Sequence, residues 1–178
     1  MFSATSHPGE SELKEFEKVF RKYYEPLCRY AYSMVRDTDE AEEIVQEFFY
    51  TYWINRKRIA IRLSLKSYLY RSIRNSALQY LRHKNIEEQY RAQITYSDSY
   101  ETPEQSLTGN ELSGIVDTTL KELPERCRQI FLLNRVNGLK YREIADLLKI
   151  SVKTVEADMG KALVVLRDQL SRAGFNNR

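Results

Sequence analysis

Long stretches of helical periodicity, interrupted by few helix-breaking residues, constrain the fold of this chain most. Only six glycines and four prolines occur in 178 residues. Between Leu13 and Met34 apolar side chains recur every three or four residues, the period of a helix with one buried face. Pro26 interrupts this stretch and can bend or divide the helix. No segment alternates apolar and polar residues as a strand does, so the sequence predicts an all-α fold.

Two further helices are predicted in the first half of the chain. Asp37 or Asp39 can cap the second helix by accepting a hydrogen bond from its first turn. Ser64 or Ser67 can cap the third, which runs from about residue 67 to residue 84. The predicted buried positions of these two helices are Ala41, Ile44, Val45, Phe48, Tyr52, Leu69, Ile73, Ala77 and Tyr80.

A polar segment then separates two helical parts of the chain. Residues 85–109 include YSDSYETPEQS and show no sustained period, so we interpret their middle as a flexible linker, into which the preceding helix can extend from Lys84 towards Arg91. Four more helices are predicted, at 112–120, 125–136, 141–148 and 152–170. We therefore expect two small helical bundles, residues 10–90 and 110–172, joined by a linker at 91–109, with a helix-turn-helix in the second bundle.

The charge distribution indicates two different partners. The formal net charge is only +3, but residues 37–47 hold six acids and no base. Residues 48–86 hold nine lysines or arginines and no acid. An acidic stretch followed directly by a basic one favours two distinct contact surfaces.

Several functional classes are disfavoured by what the chain contains. The first residues, MFSATSHPGESE, lack the apolar core of a signal peptide, and the apolar run ALVVL is far too short to span a membrane, so we expect a cytoplasmic protein. Cys28 and Cys127 are interpreted as reduced thiols, with a disulfide as the alternative.

Catalysis is not expected either. The two histidines, His7 and His83, lie in a polar tail and a basic helix, and no metal-ligand spacing or glycine-rich phosphate loop is present. Glu42 and Glu43 are interpreted as solvated or docking charges, not as an acid–base pair. The sequence predicts no enzyme activity, no cofactor, no metal and no small-molecule ligand.

The segment YREIADLLKISVKTVEADMGKAL, residues 141–163, predicts two helices joined by a tight turn, with Ser151 as the N-cap of the second helix. Helical spacing predicts that one stripe of the second helix is buried, formed by Val155, Met159, Ala162 and Leu166. Asp158 then lies near the buried edge, where a lysine or arginine can neutralise it, while Glu156 can accept a hydrogen bond from cytosine in a DNA groove. A glycine inside a helix lowers its stability, so Gly160 suggests that the helix backbone must approach the DNA closely at this position. A hairpin that docks a protein is the alternative interpretation.

Residues 112–170 resemble region 4 of sigma-70-type factors, the initiation subunits of bacterial RNA polymerase, through LKELPERCRQIFLLNRVNGLKYREIADLL and SVKTVEADMGKALVVLR. Output domains of response regulators share the second stretch, and a regulator of that type is the alternative function. It should carry a receiver domain with strands, which the sequence does not predict. The resemblance implies recognition of an upstream promoter element near minus 35 by Tyr141, Arg142, Ser151, Lys153, Thr154, Glu156, Ala157, Gly160 and Lys161.

Residues 36–53, RDTDEAEEIVQEFFYTYW, resemble sigma region 2.2. An outward Tyr50 and Trp53 among acids are typical of a docking face, although Trp53 can instead pack under the basic loop that follows. The resemblance implies contact with core RNA polymerase, through its β′ coiled coil and β flap. The predicted polymerase-binding residues are Asp39, Glu42, Glu43, Gln46, Glu47, Tyr50 and Trp53.

Residues 67–84, SYLYRSIRNSALQYLRHK, resemble regions 2.3 and 2.4. Outward cations, an aromatic ring and amides make a plausible platform for single-stranded DNA, with a solvated basic helix as the alternative. The resemblance implies that this helix and the loop of residues 56–66 open the downstream promoter element. The predicted contacts are Arg62, Lys66, Tyr68, Arg71, Arg74, Asn75, Gln79 and Arg82.

Both modules occur in the family's order over residues 13–171, with only a linker between them. This layout resembles the extracytoplasmic-function (ECF) class of sigma factors. The resemblance implies a promoter-specificity subunit that binds promoter DNA and is held by a membrane-anchored anti-sigma factor. Residues 156–160, EADMG, depart from the family because they lack the basic residues that many relatives carry there.

Overall fold

Seven helices make up the backbone that the computed structural model describes, residues 9–92 and 111–174. No strand occurs in these ranges, which confirms the all-α prediction. The helices are α1 (Glu10–Val35), α2 (Thr38–Asn55), α3 (Leu65–Ala92), α4 (Glu111–Glu122), α5 (Glu125–Arg135), α6 (Tyr141–Leu148) and α7 (Val152–Arg172). They belong to two compact units, residues 1–100 and 101–178. Most of the expected linker, residues 93–109, lies outside the described residues.

The N-terminal unit is a three-helix bundle in which α1, α2 and α3 all pack against one another. Pro26 lies inside α1, which continues through it to Val35. Asp37, the first of the two predicted capping residues, caps α2: its carboxylate accepts a hydrogen bond from the Glu40 amide at 3.2 Å. At the start of α3, the Ser64 hydroxyl accepts one from the Ser67 amide at 3.0 Å.

Aromatic rings fill much of the space between these three helices. Phe20 of α1 contacts Phe49 of α2 with 4.9 Å between ring centroids, and Tyr30 of α1 contacts Tyr70 of α3 at 5.1 Å. Large rings bury more apolar area than most side chains, so they account for a large share of the stability of so small a bundle. The predicted stripes of α2 and α3 are buried or half-buried, but Phe49 and Tyr70 are buried as well and were not predicted.

The C-terminal unit is built around α7, against which α4, α5 and α6 all pack. The predicted stripe of Val155, Met159, Ala162 and Leu166 is buried. The Ser151 hydroxyl caps α7 by accepting from the Thr154 amide at 3.0 Å, as predicted. Gly138, between α5 and α6, has a φ of 66°. This left-handed conformation, which glycine adopts readily, turns the chain from the end of α5 towards α6.

Helix ends differ from the sequence prediction mainly at α3. This helix continues to Ala92, eight residues beyond Lys84, over the stretch towards Arg91 where the sequence left a helical continuation open. The continuation, KNIEEQYRA, contains no glycine or proline to stop it. Among the described helices, none is both long and apolar enough to cross a lipid bilayer.

Candidate protein and nucleic-acid interfaces

Six of the exposed side chains of α2 form a surface that we call the acidic face: Asp39, Glu42, Glu43, Gln46, Glu47 and Tyr50. The ring of Tyr50 is 68% exposed, although the aromatic rings on the other side of α2 are packed into the bundle. Helical periodicity produces this division, because Phe48 and Phe49 turn inwards and leave Tyr50 facing water. An exposed tyrosine among carboxylates is a composition typical of protein docking surfaces.

Trp53 does not share this orientation, which corrects the predicted outward position. Its ring is half-buried against Phe16 of α1, with 4.8 Å between ring centroids. The Arg56 guanidinium lies over its other side, 3.8 Å from the ring centroid, and donates a hydrogen bond to the Trp53 carbonyl oxygen at 2.6 Å. The alternative interpretation, packing of Trp53 under the following basic segment, therefore describes its environment better.

The beginning of the basic loop is tied to α1 by ion pairs. Glu12 lies 2.6 Å from an Arg56 nitrogen and 2.9 Å from the Lys57 nitrogen. Hydrogen bonds from Lys57 and Arg56 lower the pKa of the Glu12 carboxyl below its usual value. Further along this loop Arg62 is exposed, in the company of the exposed apolar side chains Ile61 and Leu63. These two apolar residues were not predicted to belong to any site.

Gln46 connects the acidic face to α1. Its side-chain amide donates a hydrogen bond to the Tyr24 hydroxyl oxygen at 3.2 Å. Burial raises the pKa of Tyr24, so this hydroxyl stays protonated at neutral pH. The amide of Gln46 is nevertheless exposed, and its remaining hydrogen-bonding groups reach solvent.

The outer side of α3 carries most of the predicted downstream-element residues. Asn75, Gln79 and Arg82 are exposed, and the Nε of Arg82 donates to the carbonyl oxygen of Leu78 in the same helix at 3.2 Å. Arg71 and Lys66 are half-buried. The predicted outward direction is therefore confirmed for Asn75 and Arg82 and holds only in part for Arg71.

Tyr68 and Arg74 lie on opposite flanks of α3. Tyr68 is half-buried and faces α2, with its ring centroid 6.1 Å from that of Phe48 and 6.3 Å from that of Tyr52. Arg74 faces α1, close enough to Tyr30 to lower the pKa of that hydroxyl, although burial raises it overall. The eight predicted residues do not therefore form one continuous surface on α3.

A groove of about 470 Å³ runs between α2 and α3. Glu40, Glu43 and Glu47 line one side, and Ser72, Ser76, Gln79 and His83 line the other. The structure thus places the acidic face and the outer side of α3 next to each other, separated by this groove. Sequence periodicity assigns residues to faces of single helices, so it could not reveal which faces adjoin.

In the C-terminal unit, the exposed side of α7 carries the predicted upstream-element residues. Ser151, Lys153, Glu156, Ala157, Gly160 and Lys161 are exposed, as is Arg142 of α6, while Tyr141 and Thr154 are half-buried. Val152, which was not predicted, is also 40% exposed at the start of α7. A Cβ atom added at Gly160 would meet nothing within 4 Å, so packing inside the described structure does not require glycine there.

Asp158 lies on the other side of the same helix, as the sequence predicted. It is 2% exposed, and its carboxylate lies 2.5 Å from the Nε of Arg126 in α5 and 3.4 Å from the Nζ of Lys161. The hydrogen bond from Arg126 holds the pKa of Asp158 below its ordinary value, so the carboxyl is ionised at neutral pH. Sequence reasoning expected a neighbouring cation but did not identify Arg126, which lies 32 residues away.

Among residues 9–92 and 111–174, no group of three or more histidine, cysteine or carboxylate side chains could hold an ion. Cys28, which is half-buried, and Cys127, which is buried, are both free thiols, one in each unit. Burial raises the pKa of both thiols, so they are protonated at neutral pH.

Comparison with known families assigns both units. The family profile for sigma-70 region 2 matches residues 19–86, and the profile for sigma-70 region 4 matches residues 113–166. The N-terminal match favours a sigma factor over a response-regulator output protein, because only the C-terminal hairpin is shared with such regulators.

Individual relatives agree with this assignment over most of the chain. The ECF RNA polymerase sigma factor SigW of Bacillus subtilis is 25% identical over 165 residues, 87% of this chain and 88% of the relative. The RNA polymerase sigma-E factor of Streptomyces coelicolor is 28% identical over 164 residues, 89% of this chain and 88% of the relative.

A solved structure shows the same fold. The sigma factor RpoE of Bartonella quintana, crystallised with the anti-sigma factor NepR, matches with a TM-score of 0.63 at 20% identity. The match covers 89% of this chain and 98% of that chain. Together with the two profile matches, these similarities show that the chain belongs to the sigma-70 family of RNA polymerase sigma factors, in its ECF class.

Proposed function

We propose that the N-terminal unit docks on core RNA polymerase through the acidic face of α2 and opens the promoter through α3. The observation that carries this proposal is the exposed Tyr50, which stands among the carboxylates of α2 in a bundle whose third helix exposes Asn75 and Arg82. A tyrosine and acids suit a basic protein surface such as the polymerase β′ coiled coil. Cations and amides suit the phosphates and base edges of a separated strand.

The docking site consists of the acidic face, together with Trp53 at its C-terminal end. Because Trp53 packs on Phe16 and under Arg56, it supports the position of this end of α2. The proposed site is therefore Asp39, Glu42, Glu43, Gln46, Glu47, Tyr50 and Trp53.

The strand-opening site combines the outer side of α3 with the exposed part of the basic loop. Arg62, Lys66, Arg71, Arg74 and Arg82 supply positive charge, Asn75 and Gln79 supply amides, and Tyr68 supplies a ring. Tyr68 is already packed against Phe48 and Tyr52 of α2, so its ring forms part of the groove wall. A base that stacks on Tyr68 would extend this cluster of rings. Holding an unstacked base costs a few kcal/mol, which phosphate and pocket contacts must offset.

The C-terminal unit recognises the upstream element in this proposal. The exposed residues of α7 enter the major groove, with Glu156 as a base-reading acceptor and Ala157 and Gly160 allowing close approach. Tyr141, Arg142, Ser151, Lys153, Thr154 and Lys161 supply the surrounding polar contacts, and the β flap of polymerase holds this unit. The proposed limits of the two domains are residues 10–90 and 110–172, with the linker at 91–109 running through the polymerase.

Regulation and cellular location follow from the same assignment. RpoE of Bartonella quintana was crystallised with the anti-sigma factor NepR, and we propose that a membrane-anchored anti-sigma factor holds this chain in the same general way. The protein acts in the cytoplasm, where polymerase is. It contributes binding energy to initiation and no catalysis, needs no cofactor, and polymerase performs the chemistry.

Run-off transcription with purified components tests the proposed function. Core RNA polymerase, this chain, and a template carrying the region upstream of its own gene should give a discrete transcript, and core alone should not. A template with that upstream region scrambled is the matched control. The proposal would be overturned if the chain co-purifies with polymerase but the complex gives no promoter-dependent transcript from any of a set of genomic fragments.

A further inference from the structure

A buried carboxylate in α7 holds two exposed cations that come from different places in the C-terminal unit. Asp158 is 2% exposed, whereas the side chains of Arg126 and Lys161 are 57% and 69% exposed. Arg126 belongs to the first turn of α5, and Lys161 lies three residues after Asp158 on α7. One oxygen of the carboxylate faces each cation.

Stability alone is a poor explanation for an ionised group at this position. Removing a carboxylate from water is costly unless it is paired, and an apolar side chain of similar size often serves a buried position as well or better. Asp158 belongs to the buried side of α7, whose other members, Val155, Met159, Ala162 and Leu166, are apolar. An acid at this position therefore calls for a role that an apolar residue could not perform, which is to fix the direction of charged groups.

The two cations lie beside the exposed side of α7. At about 100° per residue, Lys161 falls between the buried Asp158 and the exposed ridge formed by Lys153, Ala157 and Val164. Asp158 accepts from the Nε of Arg126, whose side chain is 57% exposed, so the Nη groups of the same guanidinium can donate to a further acceptor. The flanks of a helix that lies in the major groove meet the phosphates of the groove edges.

We propose that Asp158 is a positioning residue for DNA binding, which holds Arg126 and Lys161 as a pair of phosphate contacts at one edge of the groove that α7 enters. This inference rests on the proposed upstream-element role of the C-terminal unit. It adds Arg126 to the proposed DNA contacts. Asp158 itself does not touch DNA; it contributes to binding only by holding the two cations.

Three roles of Asp158 predict different effects of Asp158→Asn, a change that preserves shape and removes one negative charge. If the acid positions the cations, DNA binding weakens even though the net charge of the unit becomes more positive. If the acid only repels DNA, binding tightens. If the acid only fastens α5 to α7, thermal stability falls while the affinity of the folded protein is unchanged.

The experiment measures promoter affinity of the reconstituted holoenzyme over a series of KCl concentrations. Arg126→Gln should weaken binding about tenfold, the loss expected for one charge-assisted hydrogen bond. It should also reduce the slope of log K against log salt by about 0.9, since each neutralised phosphate contributes that amount. Asp158→Asn should weaken binding in the same direction, and the loss in the double variant should be smaller than the sum of the two single losses, because part of the Asp158→Asn loss is the Arg126 contact that Arg126→Gln already removes.

Asp168→Asn is the matched control, since Asp168 is an acid of the same helix that pairs with Arg172 on the surface. It should leave the salt slope unchanged. Tighter binding by Asp158→Asn, or an unchanged affinity and slope for Arg126→Gln, would overturn the inference. The wild-type holoenzyme reports separately on the proposed function: if it shows no preference for any promoter fragment, that function fails, whatever the variants do. Melting curves of each variant show whether a lost affinity comes from a lost fold.

Discussion

Asp158 and Glu156 are two acids on one helix with opposite environments. They stand two residues apart, about 200° around the helix axis, so one turns into the unit while the other faces solvent. Asp158 is 2% exposed and has two cationic partners, whereas Glu156 is exposed. The apparent conflict between an acidic helix and a polyanionic ligand is therefore reduced to a single residue, Glu156, which can accept a hydrogen bond from a base.

At this same residue scale, the stability of the C-terminal unit should depend on Asp158 in acid. Because the folded-state pKa of Asp158 lies below its ordinary value of 3.8, the ionised carboxylate stabilises the fold above about pH 4. That stabilisation is lost as pH falls through the folded-state pKa. Asp158→Asn should lower the melting temperature near pH 7 by roughly 5 °C, the effect of about 1 kcal/mol in a unit of this size.

The melting temperature of the Asn variant should also vary less with pH than that of the wild type below pH 4. Melting curves of the full chain between pH 2 and pH 7 test this, with Asp168→Asn as the control on the surface of the same helix. Parallel pH profiles for wild type and Asp158→Asn would show that the ion pair with Arg126 contributes nothing to stability.

At the scale of one helix, α2 has a buried side that belongs to the core and an exposed side that, in our proposal, docks on a partner. Its inner side buries Phe48 and Phe49, and its outer side exposes Tyr50 and Gln46. A change on the outer side should therefore affect docking without affecting folding. A change at Trp53 should affect folding as well as docking, because its ring packs on Phe16 of α1.

Tyr50→Ala should weaken binding to core RNA polymerase by about 5- to 30-fold, the loss typical of an aromatic residue at the centre of an interface. Its melting temperature should stay within about 1–2 °C of the wild type, since the ring is 68% exposed. Leu13→Ala is the matched control, because Leu13 is a large apolar residue of α1 that is 52% exposed. Titration of labelled protein with core polymerase measures both; equal losses for the two variants would remove Tyr50 from the docking site.

At the scale of the whole molecule, the two units have separate cores and, in our proposal, separate tasks. The core of the C-terminal unit includes Leu120, Leu123, Cys127, Ala162 and Leu166. The N-terminal unit has the aromatic core described above. Two tasks carried by two cores should be separable by single substitutions.

Asn75→Ala should slow open-complex formation by about tenfold, with little change in binding to the upstream element, since Asn75 would contact only separated strands. Glu156→Gln should do the reverse: it should alter preference at one base pair by about 5- to 100-fold and leave strand opening on its preferred promoter unchanged. Permanganate reactivity of melted thymines and a selection from randomised upstream elements measure the two effects. Equal loss of both activities in either variant would contradict the division of tasks.

The local features of this fold could be predicted from the sequence because they depend on neighbours along the chain. Helical period located the buried stripe of α7, and capping chemistry located Asp37 and Ser151 at helix starts. The same reasoning predicted an exposed Tyr50 and placed Asp158 near the buried edge of α7, where a cation can neutralise it. Each of these follows from the rotation of about 100° per residue and from hydrogen bonds within one turn.

Contacts between distant residues were decided only by the tertiary structure. Phe16 covers Trp53, Arg126 finds Asp158 across 32 residues, and the acidic face of α2 meets the outer side of α3 across one groove. Periodicity states which side of a helix is buried but not which helix buries it. The sequence by itself thus determined the helices, their faces and the family; the packing of three or four helices in each unit determined which charges are paired and which remain available to a partner.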